Sequence, residues 1–410
     1  MNKQFLILII ILSLSYNAFS QKDSDSLRIK YRPVHPQDVK FKFGLLSGGP
    51  TKTKKLSLRL SGFVRLIATL DFGNVQNTSD FITSMIPIYP IPKEEEIRTS
   101  FDARQSRFAF EGVYQVTPTN KLLIYMETDF FGSEPALDYK LHLRHAYAQY
   151  GSWLLGYSWS TAANIDATPN QVDFEGANSV ISPKNAQIRY NLLREKYSFA
   201  ISLESHLGDY TPYVGINDIT DFQSSPDLIS YIQTQGDWGN IRLTGILTGI
   251  SYTDSANIDV DHMIGWGVSF SGHSKVFSRD KISDEFYWGF TYGEGIAYYI
   301  SDISGLGYNA MPDSNGVMNT LPAFAGYLAY KHAWNEKFES NIIASYLKLE
   351  SDAIKDKTIL KETVYLAANL MYTPIDRVNF GIEFLYGKNV NQKQDFGEAY
   401  RIQLMSVFNF

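Results

Sequence analysis

The run LSLRLSGFVRL, which spans Leu56–Leu66, shows an alternation that recurs through most of the chain and decides the fold. Its even-numbered positions hold apolar residues or glycine, while Ser57, Arg59, Ser61 and Arg65 lie on the other side. Side chains of a β-strand point alternately to opposite faces, so the run predicts a strand with one apolar and one polar face. A strand of a soluble sheet would show the same pattern. The rest of the chain must therefore distinguish a soluble sheet from a membrane barrel.

Alternating runs follow one another to the last residue without a helical interlude. They lie near residues 56–71, 103–116, 120–131, 138–150, 152–161, 185–193, 196–206, 229–235, 239–252, 261–275, 281–294, 322–332, 336–350, 360–373, 376–388 and 397–410. Their number is even, as single-chain bacterial barrels require. We therefore predict an all-β fold, a transmembrane antiparallel β-barrel of about 16 strands.

The connections between these runs alternate in length. Residues 72–102 and 162–184 make long connections, whereas residues 117–119 and 194–195 make short ones. Segregation of loops by length is typical of barrels that turn tightly on the periplasmic side and carry extended loops outside the cell. A soluble sandwich has no reason to show it, so the alternation favours the membrane barrel.

The first twenty residues predict a cleaved signal peptide. Lys3 gives a positive start, an apolar run follows from Phe5 to Leu14, and Ala18-Phe19-Ser20 carries small residues at the spacing of a cleavage site. The apolar run is shorter than the roughly 20 residues that a spanning helix needs. We expect residues 1–20 to be removed on export.

The exported chain is predicted to have two parts. Residues 21–55 are polar and interrupted by prolines, which indicates a short periplasmic N-terminal arm of irregular structure. Residues 56–410 form the predicted barrel, whose last run ends on Phe410, and a terminal phenylalanine resembles the signal that outer-membrane proteins present for assembly. Location in the cell outer membrane, in contact with its lipid, is the expectation.

The composition excludes several classes of function. There is no cysteine, which excludes a disulfide scaffold and a lipid-attached N-terminus, and the net charge of −6 argues against a nucleic-acid partner. The seven histidines are scattered without the spacing of zinc ligands, and neither GxGxxG nor a phosphate-binding loop occurs. We predict no enzyme, no cofactor and no metal site.

In a barrel of this size the lumen is wide enough to hold water, so the polar face of each strand is the candidate functional surface. The residues that alternation places on this pore-lining face are Arg59, Arg65, Arg107, Glu111, Glu127, Asp129, His142, Arg144, Arg189, Glu204, Arg242, Glu383 and Arg401. Guanidinium groups in a narrow aqueous lumen would concentrate anions and bind carboxylate or phosphate through two hydrogen bonds. Alternatively, each residue only hydrates the wall or pairs with a neighbour.

Two long connections suggest further roles. The third, residues 162–184, contains Asp166, Asp173 and Glu175, and we predict that it folds into the lumen as a constriction loop whose acids face the wall arginines. The alternative is a loop that covers the mouth with its acids in solvent. The apolar, proline-rich stretch at residues 86–92 would contact a neighbouring subunit or pack on its own barrel.

The segment from Ser106 to Tyr190 resembles the DcaP-like family of trimeric outer-membrane porins. The motifs that carry the resemblance are Ser106-Arg107-Phe108-Ala109-Phe110-Glu111-Gly112, Glu127-Thr128-Asp129-Phe130-Phe131-Gly132, Leu141-His142-Leu143-Arg144-His145-Ala146-Tyr147, Leu155-Gly156-Tyr157-Ser158-Trp159-Ser160-Thr161, Asp173-Phe174-Glu175-Gly176 and Gln187-Ile188-Arg189-Tyr190. The resemblance implies a homotrimer of sixteen-stranded pores that favour small anionic organic solutes. It also implies that Arg107, Arg144 and Arg189 lie near the narrowest point.

The sequence thus predicts an outer-membrane porin for passive diffusion of small polar, anionic solutes through a charge-lined pore. One alternative is a substrate-specific channel of the phosphate-selective type, since those porins also have sixteen strands. A second alternative, from another class, is a barrel whose loops act in adhesion. Some family members carry a coiled-coil arm, but residues 21–55 show no heptads.

Overall fold

The structure is a computed structural model. It describes residues 56–73, 75, 77, 80–89, 97–117, 120–131, 139–193, 196–206, 225–253, 260–279, 281–313, 317–350, 354 and 356–410. The predicted signal peptide and N-terminal arm, residues 1–55, lie outside the described residues, as do residues 90–92 of the proline-rich stretch.

Strands make up most of this part of the chain. They are β1 Leu56–Phe72, β2 Ile97–Asp102, β3 Arg107–Gln115, β4 Lys121–Asp129, β5 His142–Tyr150, β6 Trp153–Trp159, β7 Lys184–Leu193, β8 Tyr197–Ser205, β9 Asp227–Gly236, β10 Gly239–Thr253, β11 Val260–Arg279, β12 Ile282–Glu294, β13 Ala310–Pro312, β14 Met318–Thr320, β15 Pro322–Ala333, β16 Phe338–Leu349, β17 Leu360–Ile375, β18 Val378–Asn391 and β19 Phe396–Asn409. The helical elements within the described ranges are single 3₁₀ turns at Thr83–Met85, Ile165–Ala167, Ala297–Tyr299 and Ser301–Ile303. None of the helices described is both long and apolar enough to cross a membrane.

The strands close into one antiparallel barrel. From β3 to β12 and from β15 to β19 each strand pairs with the next, β12 pairs with β15, and β1 pairs with β19 from Phe63↔Asn409 to Phe72↔Tyr400. β13 and β14 form a separate hairpin within a long connection. Closure pairs the first strand of the ring with the last, as hydrocarbon surroundings demand. The predicted sixteen-stranded barrel is confirmed.

One ring position is filled by two short strands. β1 pairs with β3 along Leu56–Phe63 and with β2 along Ile67–Phe72, so β2 and β3 together count as one broken strand. Sequence reading treats residues 97–102 as part of a loop, because they lie beyond the alternating run at residues 103–116. Residues 97–102 become a strand because β3, with 9 residues, pairs with only the first half of the 17-residue β1. The second half of β1 is left to pair with β2.

The two faces of the barrel differ in chemistry as the alternation predicts. Along β1, Leu60, Val64 and Leu66 are exposed on the outer face, where lipid would cover them, and Thr69 and Asp71 are buried on the inner face. The same contrast recurs around the ring. An apolar exterior and a polar interior form the arrangement of a barrel in a bilayer, with the functional surface inside.

Candidate pore interior

Cross-strand ion pairs line one side of the lumen. Arg59 lies opposite Glu111 in the register of β1 and β3, and its Nη1 is 3.0 Å from the carboxylate. Arg107 of β3 reaches Glu127 of β4 at 3.2 Å. Glu127 is opposite Ala109, so Arg59–Glu111 is a directly opposed pair and Arg107–Glu127 a diagonal one. Long side chains on one face of an antiparallel pair reach both kinds of neighbour, so the register brings these ion pairs together.

Asp129, at the end of β4, binds two further side chains of this surface. It accepts a hydrogen bond from Arg144 at 2.6 Å and contacts His142 at 3.0 Å. A register shift between Glu127 and Thr128 makes Arg144 an extra residue opposite β4, so Arg144 and His145 are both buried. A bulge turns a side chain away from the face that strict alternation assigns to it. Alternation alone therefore does not predict that His145 lies on the inner face.

We call this surface the arginine wall: Arg59, Arg65, Arg107 and Arg144 of β1, β3 and β5, with Glu111, Glu127 and Asp129, the carboxylates beside them. Arg65 donates to the backbone carbonyl of Val172, outside the wall. Lys184, at the start of β7, adds a cation 3.8 Å from the ring centre of Trp159.

Arg189 and Arg242, also predicted to line the pore, are anchored in polar contacts away from this wall. Arg189 donates to Gln187 at 2.7 Å, and Arg242 donates to Gln233 at 2.7 Å and to the Ala163 carbonyl at 2.8 Å. Both side chains are almost fully buried. Their guanidinium groups hold neighbouring side chains and loop backbone in place.

The remaining inward candidates are also held by specific partners. Arg401 pairs with Asp71 across β19 and β1. Glu204 accepts from the Thr161 amide at 2.7 Å, and Glu383 accepts from the Asp173 amide at 2.6 Å. The two glutamates thus bind the backbone of the chain segment that joins β6 to β7.

That segment, residues 160–183, is the second along the chain of three segments that lie inside the barrel. We call it the second inner segment. After β6 it reaches β10 and β11, where Asn164 donates to Asn240 at 3.2 Å and to Ser271 at 3.0 Å. It continues to β15, whose Tyr327 donates to the Ala167 carbonyl at 3.0 Å. These strands lie far around the ring from β6, so the segment runs through the interior.

The middle of the second inner segment crosses to the other wall. Gln171 donates to Tyr365 of β17 at 2.9 Å, and the Val172 carbonyl accepts from Arg65 of β1. The segment then brings Phe174 to β3 and β5 before it returns to β7. The segment therefore contacts strands on both sides of the ring.

The three acids of this segment lie in different surroundings. Asp166 is exposed, in the 3₁₀ turn. Asp173 is buried and accepts hydrogen bonds from Tyr365 at 3.1 Å and from the Gly176 amide at 3.2 Å, and burial raises its pKa to about 6. Burial likewise raises the pKa of Glu175 to about 7. Loss of hydration disfavours the charged form of a carboxyl group.

Phe174, which lies between Asp173 and Glu175, contacts two arginines of the wall through its aromatic ring. The ring centre of Phe174 lies 5.3 Å from the Arg107 guanidinium and 5.0 Å from that of Arg144. It stacks on Phe131 with a centroid distance of 5.2 Å and an interplanar angle of 5°, and Arg104 lies over Phe131 at 4.7 Å. Cations are attracted to aromatic faces, so this stack fixes the segment against the arginine wall.

Sequence reasoning missed Phe174. The available signal is its place between the two acids in Asp173-Phe174-Glu175-Gly176, within a segment expected to enter the lumen. Loops lack the period of two that orients strand residues, so position alone does not say which of these side chains faces the wall.

Two other segments join the second one inside the barrel. Residues 80–89, the first inner segment, are held by Asn389 of β18, which donates to the Ser84 carbonyl at 2.8 Å and to the Ile86 carbonyl at 2.9 Å. Ile86 thus packs on its own barrel, whereas Tyr89 is exposed. Residues 296–311 form the third inner segment, where Tyr299 donates to Asp227 of β9. No metal-binding group of acids and histidines occurs in the described ranges.

Comparison with known proteins adds a family to this geometry. A family model described as DcaP outer membrane protein matches residues 47–410. No match was found among curated proteins.

Solved structures share the fold. The outer membrane channel DcaP of Acinetobacter baumannii superposes with a TM-score of 0.74 at 20% identity, covering 89% of this chain and 100% of that one. OmpT of Vibrio cholerae, folded in vitro, matches with a TM-score of 0.54 at 10% identity, over 88% of this chain and 99% of that one. An anion-selective porin from Comamonas acidovorans matches with a TM-score of 0.54 at 8% identity, over 87% and 100%.

Proposed function

The chain belongs to the DcaP outer membrane protein family, and from this premise we propose that it forms a passive pore for small polar, anionic solutes. The barrel lies in the outer membrane and has the fold of channels and porins. The pore has no enzymatic role, cofactor or energy coupling in this proposal. The second inner segment forms the constriction, and the arginines select the solute.

The observation that carries the anion preference is the charge balance of the arginine wall. Its four arginines outnumber the three carboxylates beside them, Glu111, Glu127 and Asp129. Arg65 donates its hydrogen bond to a backbone carbonyl, and the carboxylates that interact with it electrostatically, Asp80, Asp173 and Glu383, lie outside the wall. A surplus of positive charge in a confined aqueous space raises the local concentration of anions.

Residual exposure indicates where solutes would pass. The side chains of Arg59, Arg107 and Glu111 keep 14%, 15% and 21% of their surface exposed, whereas Asp129 keeps none. Water therefore reaches the part of the wall shared by β1 and β3. We place the solute path along this strip, with Phe174 and the second inner segment opposite it.

Electrical recording in planar bilayers tests the proposal. A porin gives large, steady openings. In a gradient of potassium chloride across the bilayer, an anion-preferring pore gives a reversal potential of the sign expected for anion selectivity. A channel of the phosphate-selective type would show current that inorganic phosphate blocks at low concentration. Absence of conductance would leave the adhesin alternative, and cation selectivity would remove the role assigned to the arginines.

A homotrimer is the proposed assembly. β6, Trp153–Trp159, has 7 residues, fewer than the roughly 9 to 11 that a tilted strand needs to cross hydrocarbon. A neighbouring subunit on this side would shield the short wall from lipid, in keeping with the resemblance to trimeric porins. Light scattering of the detergent-solubilised protein should give three times the mass of the mature chain, and a single chain mass would contradict it.

The export segments complete the proposal. We expect cleavage after Ser20 and retention of residues 21–55 as a periplasmic arm. Mass spectrometry of the protein from isolated outer membranes should find an N-terminus at Gln21. A mature chain that still carries Phe5–Leu14 would contradict the signal-peptide interpretation.

A further inference from the structure

The three inner segments meet at one buried residue, Asp302. The residue lies in the 3₁₀ turn Ser301–Ile303 of the third inner segment and is 2% exposed. Its carboxylate accepts from Thr83 at 2.9 Å and from the Ser84 amide at 3.1 Å, both in the first inner segment. It also accepts from Thr363 of β17 at 3.0 Å. One side chain thus joins two loops to the barrel wall.

The backbone of Asp302 extends the junction to the second inner segment. Its amide donates to the Asn178 carbonyl at 3.2 Å, and its own carbonyl accepts from the Ser84 hydroxyl at 2.5 Å. Asn178 in turn donates to Thr83 at 3.2 Å and to Thr363 at 2.8 Å. Asp302 and Asn178 therefore share the same two threonines, and the contacts form a closed network.

The neighbouring residue Ser301 repeats the link between the second and third inner segments. Its amide donates to the Val180 carbonyl at 2.9 Å, and its hydroxyl lies 2.8 Å from that of Ser182. The same hydroxyl contacts Glu175. The two segments thus run side by side as a short bridged pair, which Ile181 and Ile300 continue.

Apolar packing beneath this network ties it to the barrel. Phe81 and Ile86 of the first inner segment and Val180 of the second pack together with Tyr365 of β17. Ile300 and Ile303 pack on the inner residues of β15 and β16. Buried polar groups cost free energy unless they are hydrogen-bonded, so the polar junction and the apolar packing depend on each other.

We infer that Asp302 is a positioning residue that fastens the three inner segments into a single constriction and so sets the width of the pore. The inference rests on the proposed pore function. It makes the constriction a composite of three loops. Asp302 acts through the segments that it joins, and the solute path on the arginine wall does not include it.

A carboxylate suits the junction because its two oxygens accept several hydrogen bonds at once. An asparagine at this position would keep one acceptor for the Ser84 amide and offer its NH₂ to the hydroxyl oxygens of Thr83 and Thr363. An alanine would leave all three donors without their acceptor. The pair Asp302→Asn and Asp302→Ala therefore separates the hydrogen-bond role from the charge.

The test compares single-channel conductance of these variants with wild type. Asp302→Ala should raise the conductance by about twofold and add flicker, because loosened segments leave a wider and less stable constriction. Asp302→Asn should keep the wild-type conductance. The control is Asp356→Ala, which removes an exposed carboxylate that caps Thr358 of its own turn. Wild-type conductance in Asp302→Ala would overturn the inference.

A reversible lock sharpens the result, because the chain has no cysteine of its own. Ser182→Cys with Ser301→Cys places two thiols at positions whose hydroxyls lie 2.8 Å apart, within reach of a disulfide. In the Asp302→Ala background, oxidation should lower the conductance and reduction should raise it again. Equal conductance in both states would show that separation of the segments is not the cause.

A second variant serves if Asp302→Ala does not assemble. Thr83→Val with Thr363→Val removes the two hydroxyl donors and keeps side-chain volume, and it should give the same rise in conductance. The difference in gel mobility between heated and unheated samples reports whether the barrel itself is intact. An intact barrel with wild-type conductance would overturn the inference, whereas a wild-type protein without conductance would overturn the proposed function instead.

Discussion

Two sides of the lumen differ in what covers them. On the arginine wall, ionised side chains of β1, β3 and β5 pair across strands, and Arg59, Arg107 and Glu111 keep part of their surface in water. On another side, which we call the packed wall, β12 and β15–β18 present Tyr287, Tyr327, Ile343, Tyr365 and Leu385, and the inner segments bury them. The first wall is partly open to water, and the second is covered by protein.

This difference assigns separate tasks to the two walls. Apolar side chains gain roughly 25 cal/mol for each Å² that they remove from water, so the inner segments pack where the wall is apolar. Covering the arginines would cost the hydration of their charges. We therefore expect the remaining space to lie beside the arginine wall. We expect the packed wall to control the width and steadiness of the pore, and the arginine wall its selectivity.

The largest expected effect is on the packed wall. Ile343→Ala removes a side chain that is 1% exposed and should destabilise the protein by about 2 to 5 kcal/mol, because its cavity cannot be filled by lipid. Ile342 is its outward-facing neighbour, 63% exposed, and Ile342→Ala is the matched control. Denaturant unfolding in lipid vesicles measures both. Equal losses for the two variants would contradict the contrast between the faces.

Next in size is the effect of charge on selectivity. Arg107→Gln keeps a long polar side chain but removes one positive charge from the water-accessible strip, so the preference for anions should fall several-fold, as expected for about 1 kcal/mol. Lys281→Gln removes a charge that is 79% exposed in a turn outside the lumen and should change nothing. Reversal potentials measure the selectivity of both variants. The role of Arg107 in anion selectivity is refuted if both variants shift the reversal potential equally.

A smaller effect is expected where the two regions touch, at Phe174. Phe174→Leu removes the aromatic face that Arg107 and Arg144 contact, a loss of about 0.5 to 2 kcal/mol. The second inner segment should then move more freely, which raises flicker and conductance modestly. Phe174→Tyr keeps the ring and should behave as wild type. Identical traces for Phe174→Leu and wild type would mean that the stack does not hold the segment.

The smallest expected effect concerns pH. Burial raises the pKa of Asp302 to about 6, as it does for Asp173, and that of Glu175 to about 7. Their folded-state pKa values exceed the ordinary values near 4, so protonation favours the packed state. The stabilisation of the packed state by protonation is complete below about pH 4 and is lost as pH rises through 6 to 7. The charged groups around these acids are Arg65, Asp80, Lys184, Glu383 and Arg401.

Conductance and flicker should therefore be lower at pH 5 than at pH 8. Asp302→Asn should reduce the difference, because the amide does not titrate, whereas Asp356→Asn in its exposed turn should retain it. Recording the same channels after perfusion between the two buffers provides the comparison. A conductance that falls at pH 8 would reverse the sign and refute the explanation.

The parts of the fold that depend on local pattern could be predicted from the sequence. A period of two is a property of consecutive residues, and it predicts all sixteen barrel positions and the inward side of Arg59 and Arg107. Where local pattern is interrupted, prediction was incomplete. Residues 97–102 pair only because β1 extends past β3, and the bulge at Arg144 turned His145 inward.

Sequence by itself thus determined that the chain closes into a barrel with lipid outside and charge inside, because strand geometry converts alternation directly into faces. The tertiary structure alone decided how the interior is filled. Asn389 binds the Ser84 carbonyl across 305 positions of sequence, and Asp302 meets Thr83 across 219. Loops have no repeating geometry, so their partners are chosen by shape, hydrogen-bond donors and apolar surface, which come together only after the ring has closed.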